Sequence, residues 1–270
     1  MTHLLPQAVP YLSPVSLKTS GMLREKLINR GVGDNKQFRW RSHEISRIEG
    51  LSDAVFAFAV TLLVVSLEVP KTFAELMSAI RGFGAFAICF TLLFIVWYNQ
   101  YKFFRRYGMQ DNITILFNGV LLFVVLFYVY PLKFVFSLVI NMFTGGNGAI
   151  RLPNGTIEHM VDNADQVAAL MIIFGAGYVA VFGVFVFLYW HAYHHRTQLE
   201  LNELEIFDTR TDIQESALNV GIGAISIGFA ATGRGRFAGL AGMTYMLCPI
   251  VLTLHGTLMG KRRRKLELKI

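Results

Sequence analysis

The 270-residue chain has little charge and almost no cysteine. Only 16% of its residues are charged and 54% are hydrophobic, a balance that excludes an ordinary soluble domain. The two cysteines, Cys89 and Cys248, both lie in hydrophobic runs, where they act as small apolar residues. The sequence therefore predicts no disulfide scaffold.

Motifs of catalysis and cofactor binding are missing as well. The sequence contains no phosphate loop, dinucleotide fingerprint, paired-cysteine metal motif or Ser-His-Asp set. His191, His194 and His195 have helical spacing but no acidic or thiol ligands nearby in sequence, which favours an interfacial aromatic belt over a metal site and leaves pH sensing open. We predict that the chain is not an enzyme and binds no metal or cofactor.

The chain does contain six long hydrophobic segments. The first covers residues 47–70, and the other five are uncharged runs of at least 18 residues. These five runs are residues 82–101, 112–132, 166–190, 216–233 and 237–260. About 20 apolar residues are enough to cross a membrane as a helix. The sequence thus predicts an all-α membrane protein with six transmembrane helices.

Lysine and arginine are unevenly distributed between the two sides of this arrangement. If both termini lie on one side of the membrane, that side holds 19 of the 25 basic residues. The positive-inside rule then places both termini in the cytoplasm. We expect the membrane to be the cell membrane. The basic run at residues 261–265 follows a hydrophobic segment directly, which favours membrane lipids over nucleic acid as its partner. The predicted organisation is a flexible basic N-terminal arm (1–42), a six-helix membrane domain (43–260) and a basic cytoplasmic tail (261–270).

Two connections between the hydrophobic segments are predicted from composition. Residues 141–165, rich in glycine, indicate an irregular external loop. Residues 194–215 are charged, and we expect them to extend the fourth helix before the chain turns.

Three short motifs resemble the transmembrane protein 175 family of potassium channels. Arg47 with Leu-Ser-Asp at residues 51–53 resembles the Arg-x-x-x-Phe-Ser-Asp signature of the family's first helix. Residues 97–104 resemble the Trp-x-x-His end of its second helix, and Asn118 with Pro131 resembles its third. The motifs occur in the family's order along a chain with the family's number of spans.

The resemblance implies a leak-type channel that conducts potassium passively through a homotetrameric pore lined by the first helix. No pore-loop filter is expected, and the sequence has no Thr-Val-Gly-Tyr-Gly. The residues implied at the pore constriction and selectivity layer are Phe58, Thr61, Leu62 and Val65. Those implied in a polar network behind the pore helix are Arg47, Ser52, Asp53, Trp97 and Asn118. Potassium would be the permeant ion.

The first helix is suited to a pore on physical grounds too. Ala54, Phe58, Thr61, Leu62 and Val65 share one helical face. Around a shared axis, apolar rings would expel water, and threonine hydroxyls would replace part of a cation's hydration shell. A secondary transporter or proton-coupled carrier, or a non-conducting scaffold, stays as an alternative.

Several positions depart from the family pattern or allow a second interpretation. The family usually has isoleucine or leucine at the position of Phe58 and leucine at that of Val65, and the larger ring puts conductance and selectivity in question. Gln100 lies near the expected histidine and is predicted to alter packing only. Ser52 and Asp53 are expected to cap the first helix as well as to bind partners. Lys133 is expected to extend outward to the membrane surface.

Overall fold

The fold consists of long helices and one short two-stranded ribbon. The computed structural model describes residues 38–42, 44–65, 72–145, 148–151, 156–232 and 237–269. The helices are α1 (Arg47–Val65), α2 (Phe73–Tyr107), α3 (Asn112–Phe143), α4 (Ala164–His194), α5 (Glu203–Thr232), α6 (Ala238–Met243) and α7 (Leu247–Glu267). A single 3-10 turn at Thr244–Met246 joins α6 to α7, so these three elements form one last helical segment. The strands are β1 (Ala149–Arg151) and β2 (Ile157–His159).

Side-chain caps set the first residues of two central helices. Asp111 precedes α3 and accepts hydrogen bonds from the backbone N–H groups of Ile113 (3.2 Å) and Thr114 (3.3 Å). Asn163 precedes α4 and accepts a bond of 2.9 Å from the N–H of Gln166. Each cap satisfies N–H groups that have no partner inside the helix.

The core lies where α3, α4 and α5 meet. Leu121, Leu132, Phe185 and Leu188 are almost fully buried there. The α1 helix packs against α2 and α3, whereas α7 rests on α5 and has no buried residue. The chain therefore presents α1 at one side of the bundle and α7 at another.

The predicted all-helical membrane fold with six helical segments is confirmed. Among the described residues, four helical segments are long and apolar enough to cross a membrane: Gly82–Tyr107, Asn112–Phe143, Ala164–His194 and Gly239–Glu267. The other two, α1 and α5, are helices of 19 and 30 residues with acidic side chains in their first turns. Most helices extend beyond the predicted hydrophobic runs, because the charged and aromatic residues at the helix ends remain helical.

The structure corrects both predictions about the connecting segments. Within residues 194–215 it is α5, not α4, that extends beyond its hydrophobic run. Asn202 and Glu205 form a reciprocal cap at the start of α5. The Glu205 N–H donates to Asn202 Oδ1 (2.8 Å), and the Asn202 N–H donates to Glu205 Oε2 (3.1 Å). The predicted irregular loop holds the antiparallel β1–β2 ribbon, in which Ile150 pairs with Glu158. Residues 66–71, at the end of the first predicted span, lie outside the described residues.

Candidate pore-lining site

The α1 helix has one face packed into the chain and one face uncovered. Phe56, Ala59 and Leu63 are 5% exposed or less and contact the core. The opposite face carries Phe58, which is 56% exposed, and Thr61, which is also exposed. Within the described part of the chain, no element covers this large apolar ring and the hydroxyl beside it.

Thr61 directs its proton into its own helix. Its Oγ1 donates to the backbone carbonyls of Ala57 (2.9 Å) and Phe58 (2.8 Å). Because the hydrogen is used within the helix, the lone pairs of Oγ1 are left to face the uncovered side. Such an oxygen can contact a cation.

The other two predicted pore residues are placed differently. Leu62 is half-buried and packs against the core, so it lies at the edge of the uncovered face. The side chain of Val65, in the last position of α1, lies outside the described part of the chain. Val64, which was not predicted, is 43% exposed on the uncovered side.

A line of buried polar side chains joins α1 to α2 and α3. Ser52 donates to the carbonyl of Ile48 (2.7 Å) and accepts from Asn118 Nδ2 (3.0 Å). Asn118 in turn accepts from Gln100 Nε2 (3.0 Å). Ser52, Asn118 and Gln100 are all 2% exposed or less, so each bond is shielded from water. A buried amide or hydroxyl without a partner is costly, and these bonds therefore fix α1 against its neighbours.

Gln100 is a member of this line that sequence reasoning missed. It was expected to change packing only, yet it donates to Asn118 from a buried position. The available signal was its place in the Trp-x-x-His-like motif, where glutamine can donate a hydrogen bond as histidine does.

Asp53 and Trp97 form a second link between α1 and α2. The indole Nε1 of Trp97 donates to Asp53 Oδ1 at 2.7 Å, a charge-assisted bond. Arg47, predicted to join the same network, is exposed in the first turn of α1, and none of the bonds just described reaches it. Four of the five predicted network residues therefore lie in two neighbouring hydrogen-bonded groups.

The N-terminal cap of α1 is made by other residues than Ser52 and Asp53. Glu49 Oε2 accepts from the N–H (2.7 Å) and the hydroxyl (2.9 Å) of Ser46, and the Ser46 hydroxyl oxygen accepts from the Glu49 N–H (3.3 Å). This is a Ser-x-x-Glu capping box. The expected capping role of Ser52 and Asp53 is wrong, because the helix begins one and a half turns earlier, at Arg47.

Lys133 does not extend outward as expected. Its ammonium donates to the backbone carbonyl of Leu63 at 2.7 Å. Leu63 lies in the last turn of α1, where carbonyls lack partners within the helix and a cation complements the helix dipole. Lys133 of α3 thus holds the C-terminal end of the candidate pore helix.

The histidine cluster has an acidic partner that sequence distance concealed. His191 Nε2 lies 2.9 Å from Asp111 Oδ2 and joins the end of α4 to the start of α3. Burial opposes the charge on Asp111, but hydrogen bonds from Thr114 and His191 outweigh it and lower the pKa of the carboxyl group below its usual value. Among the described residues, no group of three or more His, Cys, Asp or Glu side chains could hold a metal ion.

Comparisons of sequence connect this site with known channels. A family model described as the endosomal/lysosomal potassium channel TMEM175 matches residues 47–128, which include α1 and the polar line behind it. A potassium channel of Marivirga tractuosa is 38% identical over 247 residues, covering 89% of this chain and 98% of that protein. A potassium channel of Streptomyces collinus is 25% identical over 225 residues, covering 80% and 90%.

Two crystal structures resemble the fold. One is a variant of the potassium channel MtTMEM175, crystallised with a nanobody–MBP fusion protein. The two chains superimpose with a TM-score of 0.72 and 37% sequence identity, and the match covers 85% of this chain and 99% of that one. A Chamaesiphon minutus homologue of the lysosomal potassium-selective channel TMEM175 has a TM-score of 0.50 and 19% identity, covering 81% of this chain and 99% of that one. The second similarity concerns the fold alone.

Proposed function

The chain belongs to the TMEM175 family of potassium channels, and from this premise we propose that it is a leak-type channel in which potassium passes passively along the uncovered face of α1. Membership of a channel family also confirms the prediction that the chain is not an enzyme. The observation that carries the proposal is the exposed pairing of Phe58 with Thr61 on a helix whose opposite face is tightly packed.

The conducting unit is a homotetramer with both termini in the cytoplasm. One copy of α1 cannot enclose a path for an ion, so the site needs further copies of the same face around an axis. The exposed hydroxyl oxygen of Thr61 and the carboxylate of Asp53 at the edge of this face support its contact with water rather than with lipid. The basic residues before α1 and after α7 support the orientation.

The constriction consists of rings of apolar side chains with one hydroxyl layer between them. Phe58 forms the inner ring, and Leu62 and Val65 form the outer ones, separated from Phe58 by about 6 and 10 Å of helix rise. Apolar rings resist the passage of hydrated ions, while the Thr61 layer offers oxygen atoms to a partly dehydrated cation. The orientation of Thr61 supports this role, because its proton is already bound to the carbonyls of α1.

Shortening Phe58 tests the constriction. We expect Phe58→Ala to raise the potassium flux of purified protein in liposomes about tenfold, because it removes the largest apolar ring from the path. Phe187→Ala is the matched control: Phe187 is 52% exposed on α4, whereas α1 packs against α2 and α3, and its loss leaves the flux unchanged. Equal flux from Phe58→Ala and the unmodified protein would reject the constriction and favour the carrier or scaffold alternatives.

A further inference from the structure

The segment that leads into α1 is held in place by a buried carboxylate of α5. Residues 38–42, which we call the strap, end four residues before Ser46, the first residue of the capping box of α1. The sequence placed them in a flexible arm, of which residues 1–37 lie outside the described part of the chain. The strap instead contacts the end of α2, the turn between α4 and α5, and the first turn of α5.

Glu205 receives two arginines of the strap. The Arg39 backbone N–H donates to Glu205 Oε1 (2.9 Å), and its guanidinium reaches both carboxylate oxygens at 3.2 Å. The Arg41 guanidinium donates to Oε2 at 2.7 Å and to Oε1 at 3.3 Å. The carboxylate is thus bonded on both oxygens by two guanidinium groups and by the backbone N–H groups of Arg39 and Asn202.

The carboxylate is also almost entirely enclosed. The Glu205 side chain is 1% exposed, whereas those of Arg39 and Arg41 are 38% and 17% exposed. Burial alone would raise the pKa of Glu205, but the bonds from Arg39 and Arg41 outweigh it and lower the pKa to about 2. Glu205 is therefore charged at every physiological pH.

Further bonds attach the strap to α2 and to the α4–α5 turn. The Arg41 N–H donates to the carbonyl of Arg105 (3.0 Å), and its Nε donates to the carbonyl of Leu199 (2.9 Å). Arg105 returns a bond to the Ser42 carbonyl (3.1 Å). Phe38 meets the Tyr107 ring edge to face at 5.4 Å between ring centres. The strap thus ties three elements together at a single point.

A buried ion pair is a weak source of stability, because desolvating the charges offsets most of their attraction. What such a pair does provide is a defined geometry, since removing one partner leaves a buried charge unsatisfied. Ser42 and Ser46 are only four residues apart, so the chain between them spans at most about 14 Å. A fixed strap therefore limits where α1 can begin.

We propose that Glu205 is a positioning residue for the pore helix, acting through Arg39 and Arg41 on the strap and through the strap on α1. This inference rests on the proposed function, since α1 must line the pore for its position to affect conduction. The expected consequence of cutting the link is a displaced Thr61 layer and weaker discrimination between potassium and sodium.

The test compares Glu205→Gln with the unmodified protein in liposomes, measuring the potassium-to-sodium flux ratio per assembled channel. We expect the ratio to fall about fivefold, the lower end of typical coupling energies between distant sites. Glu203→Gln is the matched control: Glu203 lies in the same first turn of α5 but is exposed, and its variant keeps the original ratio. A purely structural role would lower the yield of assembled protein and leave the ratio unchanged, which would overturn the proposal.

A tethering experiment covers the case in which Glu205→Gln does not fold. Cys89→Ser and Cys248→Ser first remove the native thiols, and Arg39→Cys and Glu205→Cys introduce a new pair. A short bifunctional thiol reagent joins this pair, and a reducing agent cleaves the crosslink. We expect the flux ratio to rise on crosslinking and to fall again on reduction. A ratio that does not respond to either step would overturn the proposal, and unmodified protein without potassium flux would instead reject the proposed function itself.

Discussion

Thr61 combines two properties on the uncovered face of α1. Its hydroxyl proton is bound to carbonyls one turn earlier, and its oxygen faces away from the bundle. Four such oxygens at one level would replace part of the hydration shell of a dehydrated potassium ion. The neighbouring apolar side chains offer no comparable group, so the proposed selectivity depends on this layer.

Removing the Thr61 hydroxyl should therefore lower selectivity without closing the pore. We expect Thr61→Ala to reduce the potassium-to-sodium permeability ratio about tenfold, equivalent to losing about 1.4 kcal/mol of discrimination. Reversal potentials under mixed-ion conditions measure the ratio.

Thr91 supplies the control for this substitution. It is also an exposed threonine, it donates to a carbonyl of its own helix at 2.8 Å, and it lies on α2. Thr91→Ala should keep the original ratio. A Thr61→Ala ratio equal to that of Thr91→Ala would show that the hydroxyl layer does not select ions.

Local sequence predicts some residues of the site and conceals others. Ser52 and Asn118 stand out because polar residues inside hydrophobic helices need partners. The roles of Glu205 and Lys133 depend instead on partners far away in sequence: Glu205 binds Arg39 and Arg41, and Lys133 binds a backbone carbonyl of α1. A carbonyl has no sequence signature, so the contact of Lys133 could not be predicted.

At the scale of helices, α3 and α4 approach each other closely at Gly177. A Cβ atom built on Gly177 would lie 2.2 Å from the ring of Tyr128, which is buried and also packs against Phe174. The contact includes Cδ2 and Cγ, near the point where the ring is attached, so the whole ring would have to shift. Glycine at this position therefore sets the distance between the two helices.

Adding one methyl group at Gly177 should destabilise the bundle. We expect Gly177→Ala to lower the stability of the folded protein by about 1–3 kcal/mol through overpacking, measured as a reduced melting temperature in detergent. Gly183→Ala on the same helix is the control, because its Cβ would meet no atom within 4 Å. Similar melting temperatures for the two variants would contradict the close approach of α3 and α4.

Helix existence could be predicted from hydrophobic runs, whereas several helix boundaries could not. The charged composition of residues 194–215 predicts an extension of the fourth helix followed by a turn, yet the Asn202–Glu205 cap starts a separate helix there. The β1–β2 ribbon lies in a glycine-rich segment whose strands are three residues each, too short for an alternating pattern to be recognised. In both cases hydrogen bonds between a few residues outweigh the composition of the segment.

At the scale of the whole molecule, large apolar side chains are exposed on both α1 and α2 in the described part of the chain. A row of aromatic rings follows α2, each ring contacting the next: Phe83, Phe86, Phe90, Phe94, Trp97 and Tyr101. Trp97 ends this row and is bonded to Asp53 of α1. Under the proposed function, the surface that contains the candidate pore becomes a path for ions only when several copies assemble.

The most direct test of this account is ion flux into liposomes that contain the purified protein, driven by a potassium gradient, with sodium as the comparison ion. We predict a potassium-selective flux that continues without a proton or sodium gradient and that scales with the amount of homotetramer. No flux, or flux that requires a co-transported ion, would contradict the central claim that the α1 face lines a passive potassium pore.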